Sequence, residues 1–313
     1  MIRTEKLYLK PNTANEAVNA ALQHIESFRY IAGGTDAIVN KFQGNDFFDC
    51  IIDISQIRDL KDIKTDIDYL KIGALNTLDD LQKNEIIRSK FQAFAESLNA
   101  VASPVIRKSA TIGGNLLCEN RCSFYNQTEW WRESVGYCLK CDGDICIATG
   151  GKKNCFSKFV SDTAVALISL NAEIEFFDED GEKTLPLNSI YTGDGVTPRN
   201  FKNTSLIKSV NLKINQNFKS VFYKLRQRES LEFSSLSTAV SIDENGIIRI
   251  VLGAVDPMPI LVEGKIGDDI NELINKAVKK ARIVENDVYS RQYRKEMISV
   301  FLKRSFNKLG EKI

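Results

Sequence analysis

The chain has 313 residues, 43% of them hydrophobic and 27% charged, with 42 Lys+Arg against 41 Asp+Glu. That length supports about two domains and a core that needs no disulfides. The net charge of +1 excludes a dominant nucleic-acid role, because neutralising phosphates needs a surplus of cations. No apolar run approaches the ~20 residues of a membrane span. The stretch Met1–Lys6 lacks the apolar segment of a signal peptide, so a cytoplasmic location is expected. His24 is the only histidine, which excludes His-ligated zinc hydrolases, Ser-His-Asp triads and Cys-His dyads. Cys50 stands alone, whereas the other six cysteines fall between positions 118 and 155. Without a secretion signal, such clustering points to metal more than to disulfides.

The apolar spacing of Ala17, Val18, Ala21, Leu22 and Ile25 predicts a helix over 13–28, with His24 on its surface or boundary. A strand Tyr30-Ile31-Ala32 runs from it into Gly33-Gly34-Thr35-Asp36. Strands are expected at 48–54 and 69–74, and Thr77 reads as the N-cap of a helix over 78–82. Ile86, Ile87, Phe91 and Phe94 predict one helix over 85–98. Residues 116–160 break the pattern: cysteines, glycines, lysines and the pair Trp130-Trp131 crowd together without a period. A loop of that length needs its own source of stability, and a metal centre would provide it. Trp130 and Trp131 are expected to cover it. Beyond lie a helix over 163–170 with Asp162 as its N-cap, and strands at 172–177 and 183–187 joined by a turn. Further strands are expected at 205–212, 220–223, 237–242 and 247–252, then helices over 268–281 and 285–303. The division drawn is 1–215, with a subdivision near 56 and a cysteine-rich insertion at about 117–160, followed by 216–313.

Two glycine motifs share one chemistry. Ala32-Gly33-Gly34-Thr35-Asp36 and Ala110-Thr111-Ile112-Gly113-Gly114-Asn115 both allow consecutive N–H groups to turn toward one point as an anion nest. Together they suit the two phosphates of a dinucleotide, although each alone also reads as a tight turn. Neither a G-x-G-x-x-G nor a Walker A pattern is present. Four of the clustered cysteines would complete a tetrahedral sulfur site, and their spacing leaves zinc and iron–sulfur equally open. Cys118-x3-Cys122 with Cys138-x2-Cys141 would make a structural zinc knot.

Ile31-Ala32-Gly33-Gly34-Thr35-Asp36 with Thr111-Ile112-Gly113-Gly114-Asn115, the latter preceded by Pro104-Val105-Ile106-Arg107, resembles the FAD-binding medium subunit of the molybdenum hydroxylase (xanthine dehydrogenase) family. Phe222-Tyr223-Lys224 with Arg226, Arg228 and Glu229 is similar to the start of that family's C-terminal domain, with Glu232 where the family shows Asp. The resemblance implies an α+β fold: a two-part FAD-binding domain of the vanillyl-alcohol-oxidase (PCMH) type and a C-terminal α+β domain. It implies FAD contacts at Ile31, Ala32, Gly33, Gly34, Thr35, Asp36, Val101, Ala102, Thr111, Gly113, Gly114, Asn115, Asp162 and Lys224. It places no catalytic residue on this chain.

The insertion, with Tyr125, Gln127, Glu129 and Trp130 among its cysteines, resembles that of 4-hydroxybenzoyl-CoA reductase flavin subunits. There the resemblance implies a 4Fe–4S cluster on Cys122, Cys138, Cys146 and Cys155, with Cys118 and Cys141 as extra thiols. Ferredoxin would then feed the cluster. Electrons would pass through FAD to 2Fe–2S clusters on a small subunit and to a molybdenum cofactor on a large one, in a dimer of heterotrimers. The reaction expected is reductive removal of the hydroxyl of 4-hydroxybenzoyl-CoA. The alternatives are a hydroxylase of purines or other heterocycles with electrons flowing outward, and a zinc-stabilised binding module without enzymatic activity. A self-contained flavin oxidase lacks a His or Cys beside the first loop for covalent attachment.

Overall fold

Alternating burial and turn chemistry sort the strands into three sheets. The computed structural model describes residues 6–311; Met1–Glu5, most of the stretch tested for a signal peptide, lies outside them. Strands β1 (Leu7–Leu9), β2 (Phe28–Ile31) and β3 (Cys50–Asp53) form a parallel sheet in the order β1-β3-β2. The crossover helix, Ala14–Gln23, starts at Thr13, whose hydroxyl accepts the Glu16 N–H. It packs Ala17, Val18 and Ala21 against Cys50, Ile52 and Ile57. Half-buried His24 ends this helix earlier than the periodicity predicts, because Phe28 already pairs with Cys50.

The second sheet is antiparallel, with β4 (Ile63–Thr65), β5 (Tyr69–Gly73), β6 (Glu173–Asp178), β7 (Gly181–Pro186) and β8 (Leu206–Lys213) in the order β4-β5-β8-β6-β7. Thr77 caps the helix Leu78–Lys83 as expected. The single helix expected over 85–98 is two, Glu85–Lys90 and Gln92–Ala100, because Phe91 leaves helical geometry at φ −123 and ψ 64 and anchors the break in the core. Residues 117–160 carry one helix, Glu129–Val135, and one tight turn, Leu139–Cys141. The helix Asp162–Ser169 is buried along its whole length. Its N-cap is Ser161, whose hydroxyl accepts the Ala164 N–H, so Asp162 is the first helical residue and not the cap.

Strands β9 (Phe218–Leu225), β10 (Leu236–Asp243), β11 (Ile247–Gly253) and β12 (Ile260–Lys265) form an antiparallel meander. Every residue of β10 is buried: Ala239 joins the core of the second sheet, while its neighbour Val240 packs with Ile298 and Leu302. The helices Ile270–Lys280 and Arg291–Leu309 cover that outer face. The last helix begins at Arg291, later than its pattern predicts, because Ser290 caps it. Neither β1 nor β4, whose three residues carry too little alternation to register, nor the six-residue β12 is among the strands expected from the sequence. Among the described residues no helix is long and apolar enough to cross a membrane.

Candidate functional site

The first glycine loop leaves β2 and enters the helix Ala37–Phe42. Gly34 adopts φ +69, and a Cβ on Gly33 would lie 1.8 Å from the Ser109 carbonyl oxygen, so both positions require glycine. Among the described residues no backbone N–H from Gly33 to Ala37 donates to a protein acceptor. These dipoles remain available to an anion. Every residue from Ile31 to Asp36, with Thr111, Gly113 and Gly114, lines one cavity of about 360 Å³. Three residues without a motif signature join them: Arg29, Arg199 and Ser205 line the cavity, and their Nε, Nε and Oγ atoms are buried without a protein partner. Orphaned donors of this kind are costly unless a ligand or water satisfies them.

The second motif is not a nest. Thr111 caps a short helix, Ile112–Leu116, and the N–H groups of Ile112, Gly113, Gly114 and Asn115 donate to Asn76, Ala74 and Thr111. Gly113 serves close packing instead: a Cβ there would stand 2.8 Å from that of Ala74. The Asp36 carboxylate is also committed, accepting the Glu119 N–H at 3.0 Å and pairing with Arg121. It braces the loop against the start of the insertion.

The other expected flavin residues gather away from this cavity. Asn115 Oδ1 accepts the hydroxyls of Ser161 (2.9 Å) and Thr163 (2.5 Å), tying the second motif to the helix that begins with Asp162. Asp162 pairs with Lys224 at 2.7 Å, with side chains 3% and 4% exposed, and also accepts from Ser234. Lys224 donates a second bond to Ala100 O at 3.0 Å. Val101 O accepts from Arg107, and Ala102, at φ 47, accepts the Leu231 N–H. Glu232 accepts from the backbone and guanidinium of Arg228.

Cys122, Cys138, Cys146 and Cys155 line one small pocket together with Tyr125, Lys140 and Ser157. Cys118 does not line it. The charges acting on its thiol are those of Asp36, Arg121, Arg199 and Glu119, and burial pushes that thiol up to about 12. Burial also raises Cys122, to about 11, and Cys155. The neighbouring Cys141 thiol lowers Cys138, and Cys141 is raised in turn. Cys141 does not line the pocket. Among the described residues no three His, Cys, Asp or Glu side chains converge tightly enough for a single metal ion. The knot of Cys118, Cys122, Cys138 and Cys141 is therefore not formed. A single zinc needs sulfurs about 2.3 Å from one centre, whereas a cubane spaces its four ligands more widely.

Arg132 fastens the insertion: its guanidinium donates to the carbonyls of Gln43 and Gly44, and it pairs with Glu129. Trp130, expected as a cover, is 74% exposed, and Trp131 is only half-buried. The Glu129–Val135 helix turns Arg132 inward, which leaves Trp130 outside.

The family described as FAD binding domain in molybdopterin dehydrogenase matches residues 2–212. The aldehyde oxidoreductase FAD-binding subunit PaoB of Escherichia coli K12 is 30% identical, over 82% of this chain and 83% of its own. The nicotinate dehydrogenase FAD-subunit of Eubacterium barkeri is 25% identical, over 77% and 70%. A chain of the reconstituted CO dehydrogenase from Oligotropha carboxidovorans shares the fold at a TM-score of 0.76 and 19% identity, covering 99% of both chains. The chain belongs to the FAD-binding subunits of the molybdenum hydroxylase family. Its fold class is the α+β flavin fold of PCMH type that the sequence led us to expect.

Proposed function

We propose that this chain holds FAD against the Ile31–Asp36 loop and a 4Fe–4S cluster among Cys122, Cys138, Cys146 and Cys155, and passes electrons between them for a molybdenum-containing partner. The observation that carries this reading is the contact between the two sites. Glu119 lines the large cavity, Lys140 lines the cysteine pocket, and the two pair at 2.8 Å. Free N–H groups, with the unpartnered Arg29 Nε and Ser205 Oγ, suit a polar anionic ligand, although the Arg29 guanidinium also pairs with Asp46 at 2.6 Å. The group of Val101, Ala102, Asn115, Asp162 and Lys224 would extend the contact toward the flavin ring. FAD supplies one- and two-electron chemistry when bound; the chain's own residues position it, exclude water and offer the Lys224 charge.

The relatives are named as FAD subunits, which supports a hetero-oligomer; the partners proposed are a molybdenum-cofactor large subunit and a 2Fe–2S small subunit, in a dimer of heterotrimers. Ferredoxin would deliver electrons to the cluster, for reductive dehydroxylation of 4-hydroxybenzoyl-CoA on the large subunit. A second reading, oxidation of an aldehyde or heterocycle with electrons flowing outward, is favoured by the aldehyde oxidoreductase and nicotinate dehydrogenase relatives.

Anaerobic purification with flavin, iron, sulfide and zinc analysis tests the cofactors. The expected result is flavin with about four irons and four sulfides per chain. Serine in place of Cys122, Cys138, Cys146 or Cys155 should abolish the iron, and Cys118→Ser should keep it. Flavin with zinc, or without metal, refutes the cluster. Turnover of 4-hydroxybenzoyl-CoA with reduced ferredoxin, against turnover of aldehyde or nicotinate with an artificial acceptor, separates the two directions.

A further inference from the structure

Resting on the cluster reading above, we propose that Lys140 tunes the reduction potential of the four-cysteine site and that its partner Glu119 opposes it. Lys140 lies in the turn Leu139–Cys141, directly after Cys138, and its side chain is only 6% exposed. Its ammonium donates to Glu119 Oε2 at 2.8 Å and to Gly195 O at 2.5 Å. The Gly195 N–H in turn donates to Cys155 O at 2.9 Å. A Cβ on Gly195 would meet Cys155 Sγ at 2.8 Å, so the ammonium is fixed to the segment that walls the cysteines. The geometry is reinforced by the Tyr125 ring, whose centroid lies 5.0 Å from Nζ. Lys140 is also among the charges acting on Cys155.

Glu119 is shared between two cations, Lys140 and Arg199, at 2.8 and 3.4 Å. Of the three, only Lys140 lines the cysteine pocket, and the Asp194 carboxylate, which accepts the Cys155 N–H at 3.1 Å, is a second fixed anion near it. An iron–sulfur site that accepts one electron gains one negative charge. In a poorly solvated environment a fixed cation stabilises the reduced form and a fixed anion destabilises it. Lys152 and Lys153, between Cys146 and Cys155 in sequence, are exposed, and solvent screens their charges.

The test is a dithionite titration of the purified anaerobic complex, followed by electron paramagnetic resonance, in which dithionite supplies the electron. Lys140→Met should lower the potential of the site, and Lys140→Arg should keep it near the wild-type value. Glu119→Gln should raise it, and Lys152→Met with Lys153→Met should leave it in place. Opposite shifts from opposite charges are a signature that loosened packing does not produce. Iron and sulfide are counted first: their absence from the wild-type chain overturns the cluster reading and this inference with it. Iron present, with Lys140→Met and Glu119→Gln shifting together or not at all, overturns the inference alone. If Lys140→Met loses its iron, Glu119→Gln decides: an upward shift supports the proposal, and any other result sinks it.

Discussion

Replacing Lys224 with methionine tests the buried ion pair at the start of the Asp162–Ser169 helix most directly. The Lys224–Asp162 pair is 2.7 Å long, and its two side chains are almost fully buried. At an effective dielectric of about 20, its gross Coulomb attraction is about 6 kcal/mol. Desolvation cancels most of that gain while both partners are present. Removing only the lysine leaves the Asp162 carboxylate buried with the Ser234 hydroxyl as a side-chain donor and leaves Ala100 O without its Lys224 bond. Breaking a buried pair from one side costs about 3–5 kcal/mol, and that is the loss expected for Lys224→Met in urea unfolding of the flavin-free chain. The double variant Lys224→Met/Asp162→Asn removes the stranded charge and should recover about half of the loss. A Lys224→Met loss below about 1 kcal/mol, or a double variant no more stable than the single one, would refute the reasoning. Either result would mean that solvent reaches the pair.

Gly33→Ala forces a Cβ against the Ser109 carbonyl and must shift the loop; FAD affinity should fall at least about tenfold in a fluorescence titration, a change of about 1.4 kcal/mol. Burial would raise the Glu119 carboxyl, but the Lys140 and Arg199 cations outweigh it and hold the group down to about 2. A lowered carboxyl contributes stability that is fully present above its unfolded value, near 4.5, and is lost as pH falls toward 2. From this group wild type should lose about 3 kcal/mol over that window, and Glu119→Gln should show a flatter acid limb; parallel limbs would count against the pairing. Arg132→Met removes the donors to Gln43 and Gly44, so limited proteolysis should cut first within residues 117–160 and the rest of the chain should stay resistant.

The first glycine loop stood out because a strand runs straight into paired glycines, a pattern that suits an anion nest and a tight turn alike. The second motif misled for a physical reason. Glycine permits an exposed nest and also a close packing contact, and only the position of Ala74 shows that Gly113 does the latter. Arg29, Arg199 and Ser205 escaped notice because nothing local marks them; they become a group only when β2 and the Ser205 end of β8 meet over one cavity. The cysteines were legible as a metal-type cluster, but spacing could not choose among six thiols. Tertiary placement sets Cys118 among Asp36, Arg121 and Arg199 and gathers Cys122, Cys138, Cys146 and Cys155 around one pocket. The break at Phe91 was hidden because its apolar spacing suits one helix or two.

The position of the insertion explains why the two sites touch. It begins where the wall of the large cavity ends, since Leu117 and Glu119 line that cavity and Cys122 follows three residues after Glu119. An extended chain of that length spans at most about 10 Å, so the first of the four cysteines cannot lie far from the cavity. The return is equally constrained. Cys155 lies seven residues before Asp162, and Ser157, Lys158 and Phe159 on the way are pinned to Asn120, Asp287 and the Asp256 carbonyl. Forty-odd residues placed in the exposed turn between β6 and β7 would fold as an appendage, joined to the large cavity only through the sheet. Placed here, their first end continues the wall of the large cavity, their return is pinned to Asn120, Asp256 and Asp287, and the Glu119–Lys140 pair links that cavity to the cysteine pocket.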